Sequence, residues 1–181
     1  FPATRFYCHR RGQQDLVFLV GEQQPSEEQK TYEMANEVLD TAERLGCKRV
    51  YTSGASVTLI HHTARPKVWA VPNNPALIPE VSGYSNTILM SQVDGRNGEG
   101  MITGLNGLLL GVAKARGIDA VCLMGEVPYY LQGAPWPYPK ASIAVLEVLG
   151  RVMDVQLDLS DLQTTAAKVE ANIDQIIDAL A

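Results

Sequence analysis

Short runs of apolar residues alternate along the chain with longer segments in which apolar residues recur every three or four positions. Residues 15–20 and 119–124 are nearly uninterrupted apolar runs, a pattern typical of strands that are covered on both faces of a sheet. Residues 26–46 and 105–117 have the spacing of amphipathic helices, and each segment ends at a glycine. This alternation predicts one α/β domain over residues 1–181, built on a mostly parallel sheet.

Further elements are predicted around these segments. Ser26 is expected to cap the first helix, and residues 48–52 are expected to form a strand that ends in a turn at Ser53-Gly54-Ala55. The strands at 15–20 and 48–52 should then be parallel neighbours joined by a right-handed crossover. The remaining predictions are a strand at 67–71, a short helix at 76–81, an edge strand at 87–92, a solvated turn at 94–98 and a helix at 140–153.

The last helix has a narrower apolar pattern than the others. It is expected to begin at Ser160, with Gln163 completing a capping box. Its apolar residues are then spaced four, three, four, three and four apart: Leu162, Ala166, Val169, Ile173, Ile176 and Leu180. Such a stripe fits docking along the helix's own domain or, alternatively, pairing with another chain. Residues 160–181 are therefore a possible oligomer contact.

Charge, hydropathy and cysteine content exclude several classes of partner. The formal net charge of −5 argues against binding to nucleic acid, which needs clustered Lys and Arg. The longest apolar stretches, residues 108–113 and 141–149, are too short to span a bilayer. Cys8, Cys47 and Cys122 fit neither a disulfide framework nor a metal site and are expected to be reduced thiols. The sequence thus predicts a cytoplasmic protein without nucleic-acid or membrane partners.

Motifs for phosphate, metal and nucleophilic chemistry are absent from the sequence. It contains no Gly-x-Gly-x-x-Gly, no Walker A sequence and no His-Glu-x-x-His, so we expect no cofactor and no metal site. Ser53 and Ser56 precede His61-His62, and a nucleophilic serine needs such a base within reach. No Gly-x-Ser-x-Gly surrounds either serine, and adjacent loop histidines are more often solvated or capping groups.

Three segments remain as candidates for a binding site. Glu126 follows a predicted core strand, so Glu22, Ser53-Gly54 and Glu126 could converge on one cleft at the carboxyl ends of the strands. There Glu126 could act as a general base or hold a ribose hydroxyl, or it could accept hydrogen bonds that fix the following loop. The small residues Gly104, Asn106 and Gly107 could offer backbone N–H groups to an anion, or serve close helix packing.

The same residues resemble the proteasome assembly chaperone 2 family. The resemblance rests on an ordered set of segments: Val50 to Ala55, His62 to Pro66, Ile102 to Leu109, and Gly125-Glu126-Val127-Pro128-Tyr129. It extends through Pro137 and Ala141 to the C-terminal helix and so covers nearly the whole chain. The resemblance implies a three-layer α/β fold similar to nucleoside phosphorylases, with helices on both faces of the sheet.

The resemblance also implies a function, and the chain differs from the family pattern in two respects. It implies a non-enzymatic, chaperone-like module that forms trimers or larger homo-oligomers, with proteasome subunits or another protein complex as possible partners. Gly125, Glu126, Pro128 and Tyr129 would belong to its binding surface. Relative to the family, a first strand and helix are expected to be missing before Phe1, and the chain ends Leu180-Ala181 rather than in a hydrophobic-tyrosine-any tail. The alternative is a phosphorylase-like or hydrolase-like enzyme, or a small-molecule sensor, at the strand ends.

Overall fold

The computed structural model describes residues 3–12, 14–92 and 102–180 of the protein. The strands are β1 (Thr4–His9), β2 (Leu16–Gly21), β3 (Arg49–Thr58), β4 (Val68–Pro72), β5 (Thr87–Leu89) and β6 (Asp119–Pro128). The α-helices are α1 (Glu28–Arg44), α2 (Ile78–Ser82), α3 (Gly104–Ala115), α4 (Pro139–Val152) and α5 (Ser160–Leu180). Short 3-10 turns span Pro75–Leu77, Met90–Gln92 and Tyr129–Leu131.

The core of the fold is a four-stranded sheet in the order β3-β6-β4-β5. Strand β3 runs parallel to β6 from the Arg49–Asp119 pair to the Thr58–Pro128 pair. Strand β4 is antiparallel to β6, and β5 is parallel to β4 at the edge of the sheet. Two of the three pairings are therefore parallel, which confirms the predicted α/β class with a mostly parallel sheet. The predicted edge strand at 87–92 is confirmed at Thr87–Leu89.

Helices cover both faces of this sheet, as predicted. Alternate residues of β6 point to opposite faces because side chains alternate along a strand. Ala120, Cys122 and Met124 pack against α1 and α3, whereas Val121 and Leu123 pack against α4. Burial on both faces explains why β6 is a nearly continuous apolar run. Helix α5 packs outside α4 and forms a further layer.

Helix α4 approaches β6 closely at Gly125. A Cβ atom at this position would lie 2.5 Å from the main-chain oxygen of Ala141, so any larger residue would push the helix away. The close approach places the first turn of α4, which includes Lys140, next to the carboxyl end of β6. Gly125 therefore determines which side chains can meet there.

The predicted placement of residues 15–20 is wrong. Strand β2 does not pair with β3; it pairs antiparallel with β1 in a separate two-stranded sheet. Phe18 and Val20 are exposed, so the strand is not covered on both faces. Helix α1 consequently does not connect two parallel strands of one sheet. An apolar run of six residues cannot by itself reveal which strand pairs with it, and β1 was not predicted.

Several predicted boundaries also shift. Strand β3 continues through the predicted turn at Ser53-Gly54-Ala55, because β6 pairs with it over its whole length. Helix α1 is preceded by Glu27 rather than capped by Ser26. The capping box at Ser160 does not form, because Asp158 Oδ1 accepts both the Ser160 N–H, at 3.0 Å, and the Ser160 hydroxyl, at 2.7 Å. The turn predicted at 94–98 lies outside the described residues.

Candidate functional site

Glu126 lies near the end of β6 and is 9% exposed. One carboxylate oxygen accepts a hydrogen bond from the main-chain N–H of Lys67 at 2.8 Å, and the other accepts one from the indole N–H of Trp69 at 3.2 Å. The Glu126 main-chain N–H in turn donates to the Lys67 carbonyl at 3.1 Å. The carboxylate therefore holds the start of β4 against β6. Of the two predicted roles this geometry favours the structural one, although the partner is the neighbouring strand rather than the following loop.

A second predicted group gathers where β3 meets the first turn of α3. The Asn106 side-chain amide donates to the Ser53 carbonyl at 2.9 Å, and it lies 3.1 Å from where a Cβ at Gly54 would be. Gly104 begins α3 with a φ of +71°. Gln24 Oε1 accepts the Leu105 N–H at 3.2 Å and so takes one of the exposed donors of this helix N-terminus.

Gly107 supports the packing interpretation of this segment. A Cβ atom there would lie 2.0 Å from the Ile102 carbonyl oxygen, so only glycine fits. Glu22 has other partners: its carboxylate accepts the Ala3 N–H at 3.1 Å and lies 3.8 Å from the Arg5 guanidinium. Ser53, Gly54 and Asn106 are thus brought together. Glu126 is bound separately to β4, and the ligand-binding roles of all these residues stay predictions.

His62, near the carboxyl ends of β3 and β6, is 1% exposed and makes hydrogen bonds through both its ring and its main chain. Its ring nitrogen Nδ1 lies 2.7 Å from the Tyr130 hydroxyl, and Nε2 lies 2.7 Å from Asp174 Oδ1. The His62 N–H donates to the same Tyr130 hydroxyl at 2.7 Å. Its carbonyl accepts from the Tyr138 hydroxyl at 3.1 Å and from Lys140 Nζ at 2.7 Å. We call His62, Tyr130, Tyr138, Lys140 and Asp174 the His62 cluster.

The donors and acceptors of this cluster can all be matched. Because the Tyr130 oxygen accepts the His62 main-chain N–H, its own proton is available to donate to Nδ1. Nε2 then carries the ring proton and donates it to Asp174. Lys140 also pairs with Glu170 of α5. The cluster therefore joins the loop before β4, the loop after β6, the start of α4 and the middle of α5.

His62 is not paired with either of the serines that precede it in the sequence. Both ring nitrogens of His62 are occupied by Tyr130 and Asp174 rather than by Ser53 or Ser56. His61 Nδ1 bonds the Thr63 hydroxyl at 2.8 Å.

Burial, together with the nearby Tyr130 and Glu170, raises the pKa of Tyr138 to about 12 and keeps its phenol a hydrogen-bond donor.

Apolar and aromatic side chains are exposed beside this cluster. Strands β3 and β6 end side by side, so the residues that follow them emerge together. Leu59 is 87% exposed, and Val57, Tyr129 and Tyr130 are also exposed. The rings of Tyr129 and Tyr130 meet edge to face, with centroids 5.5 Å apart. We call Val57, Leu59, Tyr129 and Tyr130 the aromatic tip.

The described residues contain neither a metal-binding cluster nor a membrane-spanning helix. Within residues 3–12, 14–92 and 102–180, no three His, Cys, Asp or Glu side chains are placed to hold a metal ion. None of the helices in the same ranges is long and apolar enough to cross a membrane. Cys8, Cys47 and Cys122 are free thiols, and burial raises the pKa of the Cys122 thiol, which makes it less reactive.

Comparison with known proteins places this fold and sequence in a family. The sequence model of the PAC2 family matches residues 1–177. The chain belongs to the PAC2 family. A member of this family from Streptomyces avermitilis has a crystal structure that is 29% identical, with a TM-score of 0.80 over 98% of this chain and 70% of that one. The family match confirms the resemblance seen in the ordered motifs.

Two further solved structures with a similar fold have functional descriptions. Pyrococcus furiosus PbaB, described as an archaeal proteasome activator, is 24% identical, with a TM-score of 0.82 over 97% of this chain and 71% of PbaB. At that identity the likeness shows the fold alone. Rv2125 of Mycobacterium tuberculosis, described as a proteasome-assembly chaperone homologue, is 25% identical, with a TM-score of 0.74 over 97% of this chain and 68% of Rv2125.

A curated relative is also similar over nearly the whole chain. Uncharacterized protein MJ1210 of Methanocaldococcus jannaschii is 26% identical over 176 residues. The alignment covers 97% of this chain and 63% of MJ1210, so this chain spans less than two thirds of that relative's length.

Sequence reasoning missed the His62 cluster. Adjacent loop histidines such as His61-His62 are expected to be solvated or capping groups, whereas His62 is 1% exposed. Asp174 is 112 residues away from His62, on a helix read only for its apolar stripe. Glu170 and Asp174, one turn apart beside the apolar stripe of that helix, were an available signal.

Proposed function

We propose that this protein is a non-enzymatic, chaperone-like binding module that works as a homo-oligomer in the cytoplasm. Its partners would be proteasome subunits or the subunits of another protein complex. The observation that carries the proposal is the aromatic tip, because exposed tyrosine and leucine side chains at one end of a rigid sheet are typical of a protein-binding surface. Family membership and the description of Rv2125 support the same role.

The tip is exposed without being loosely held. Two hydrogen bonds between its hydroxyl and His62 hold Tyr130 in place, and the Tyr129 ring packs edge to face against the Tyr130 ring. A surface that is ordered before binding loses less conformational entropy on association. Pro128 is buried at the end of β6, directly before Tyr129, and further anchors the loop. These contacts suit a preformed docking surface.

The geometry at Glu126 supports a binding role over an enzymatic one for this end of the sheet. A general base needs an oxygen that can reach the proton of a substrate. Both Glu126 oxygens already accept hydrogen bonds, one from Lys67, directly before β4, and one from Trp69 in β4. Glu22, Ser53, Gly54, Gly104, Asn106, Gly107 and Gly125 remain predicted contacts of the binding surface.

Substitutions at the aromatic tip test the partner proposal. Leu59→Ser and Tyr129→Ala should each weaken binding to purified proteasome α subunits of the source organism by about 30-fold, as expected for a central interface residue. The measurement is surface plasmon resonance with the intact protein. Leu45→Ser, at an exposed leucine after α1, is the matched control and should leave binding unchanged. If the wild type binds no α subunit, or if Leu45→Ser weakens binding equally, the proposal fails.

The homo-oligomer is tested separately through α5. Ile173 is buried against the domain, but Ile176 and Ile177 remain exposed on the last turns of this helix. We propose that they contact another copy of the chain. Light scattering after size exclusion should give a multimer for the wild type and smaller species for Ile177→Ser, whereas Leu157→Ser, at another exposed site, should behave like the wild type. A strictly monomeric wild type would contradict this.

A further inference from the structure

A groove of about 490 Å³ runs between α4 and α5, beside the His62 cluster. Its volume falls within the range of sites that bind small molecules or peptide segments. The loop that leads into β4 also lines the groove, through Thr63, Arg65 and Pro66. The groove is separate from the aromatic tip.

The floor of the groove is apolar and made of small side chains. Ala144 of α4 and Ala166 of α5 are buried there, and Ala167 and Ala171 continue the alanine surface along α5. Small side chains leave a shallow channel in which an extended chain of methylene groups can lie. Lys and Arg side chains bury such stems along apolar surfaces while keeping their charged ends in contact with polar groups.

The polar lining carries more negative than positive charge. Three carboxylates line the groove, Glu147, Glu170 and Asp174, against two cations, Arg65 and Lys140. Lys140 is occupied by Glu170 and by the His62 carbonyl. Asp174 uses one oxygen to bind His62, and its side chain is 52% exposed. This balance favours a positively charged ligand over a negatively charged one.

One of the two cations can be displaced at little cost. Arg65 bonds Glu147 at 2.6 Å, but its side chain is 63% exposed, whereas that of Glu147 is 28% exposed. An ion pair with one solvated partner contributes little to stability. A ligand cation that lies in the groove can therefore replace Arg65 on Glu147 while Arg65 returns to water.

We propose that the α4–α5 groove binds a peptide segment of a partner protein through a lysine or arginine side chain. The stem of that side chain lies on the alanine floor, and its charged end takes the place of Arg65 on Glu147. The inference rests on the shape and charge of the groove. It stands independently of the function proposed for the aromatic tip.

The test uses the intact protein and four capped pentapeptides of sequence Gly-Ala-X-Ala-Gly, in which X is Lys, Arg, Gln or Glu. Each carries a net-neutral fluorophore, and binding is followed by fluorescence anisotropy. The Lys and Arg peptides should bind with dissociation constants on the order of 1 mM or tighter, and the Gln and Glu peptides at least about tenfold more weakly. Glu147→Gln should weaken binding of the Lys and Arg peptides about tenfold.

Two pairs of variants localise the binding. Glu37→Gln is the control for Glu147→Gln. It makes the same carboxylate-to-amide change at an exposed position of α1 and should leave binding unchanged. Ala171→Leu should fill the groove and abolish binding, whereas Ala115→Leu, at an exposed position of α3, should have no effect. Circular dichroism melts of all four variants show whether each is folded. Equal or tighter binding of the Glu peptide, binding that survives Ala171→Leu in a folded protein, or no binding of any peptide would overturn the proposal.

Discussion

Two buried polar residues near the carboxyl end of the sheet, Glu126 and His62, are stabilised in different ways. Glu126 takes its partners from Lys67, directly before β4, and from Trp69 in β4, the strand that neighbours its own in the sheet. His62 takes its partners from the loop after β6, from the region where α4 begins, and from α5. The first residue fixes two adjacent strands, whereas the second holds together segments that share no hydrogen-bonded ladder.

This difference suggests what each residue contributes. The main-chain register already brings β4 beside β6, so Glu126 adds bonds to a geometry that exists without it. The His62 loop and α5 have no such register to bring them together. His62 is therefore expected to matter more for the global fold, and its bond to Tyr130 also links the aromatic tip to the rest of the domain.

The largest expected effect comes from His62→Ala. Removing a buried ring and its bonds to Tyr130 and Asp174 should lower the free energy of unfolding by about 3 kcal/mol, which sums a cavity and lost hydrogen bonds. Urea denaturation at pH 7 measures this value.

The variant His62→Leu separates the two contributions. Because leucine refills much of the volume but bonds neither Tyr130 nor Asp174, we expect a loss of about 2 kcal/mol. A loss for His62→Ala that is smaller than the loss for Glu126→Gln would break the comparison between the two residues.

An intermediate effect is expected for Glu126→Gln. The glutamine keeps the volume, but its NH2 group must face either the Lys67 N–H or the Trp69 indole N–H, so one buried donor loses its acceptor. The free energy of unfolding should fall by about 1.5 kcal/mol. The same urea titration checks it, with Trp69→Phe as the companion variant that removes the indole donor. A Glu126→Gln protein as stable as the wild type would remove the proposed structural role.

The smallest effect concerns Glu80, at the opposite end of the sheet. Its carboxylate accepts hydrogen bonds from the Arg49 guanidinium and from the Tyr84 hydroxyl. The hydrogen bond from Arg49, and to a smaller extent the one from Tyr84, lowers the pKa of Glu80 below its usual value of 4.5. The carboxylate therefore stabilises the folded state above pH 4.5, and this stabilisation is lost as the pH falls through the lowered pKa.

The predicted consequence is a pH-dependent gap between the wild type and Glu80→Gln. Because the pair is partly exposed, the gap should be only about 0.5 kcal/mol at pH 7 and should close as the pH is lowered below 4.5. Thermal melts between pH 3 and pH 7 measure it. A gap that widens on acidification would contradict the assignment of Glu80.

The predictions that succeeded rest on local patterns. Helices α1, α3 and α4 follow from apolar residues at helical spacing, and β6 follows from an apolar run, because the burial of each element leaves a periodic trace in its own residues. Gly125 was noted as part of a motif, and the close approach of Ala141 explains why glycine is needed there.

The predictions that failed depended on partners distant in sequence. Residues 15–20 have the composition of a buried strand, but their neighbour is β1 rather than β3. Ser53-Gly54-Ala55 has the composition of a turn, but pairing with β6 keeps it extended. In both cases the conformation is decided by hydrogen bonding to a second strand, and the local residues do not specify which strand that is.

The sequence by itself determined the α/β class, the main helices, the buried strand β6 and membership of the PAC2 family, because periodicity and motif order are properties of the chain alone. Only the tertiary structure decided that Glu126 binds β4 and that His62 meets Asp174 across 112 residues. A hydrogen bond between distant residues depends on how the whole chain is folded. That dependence is why the groove between α4 and α5 became visible only once the helices were packed.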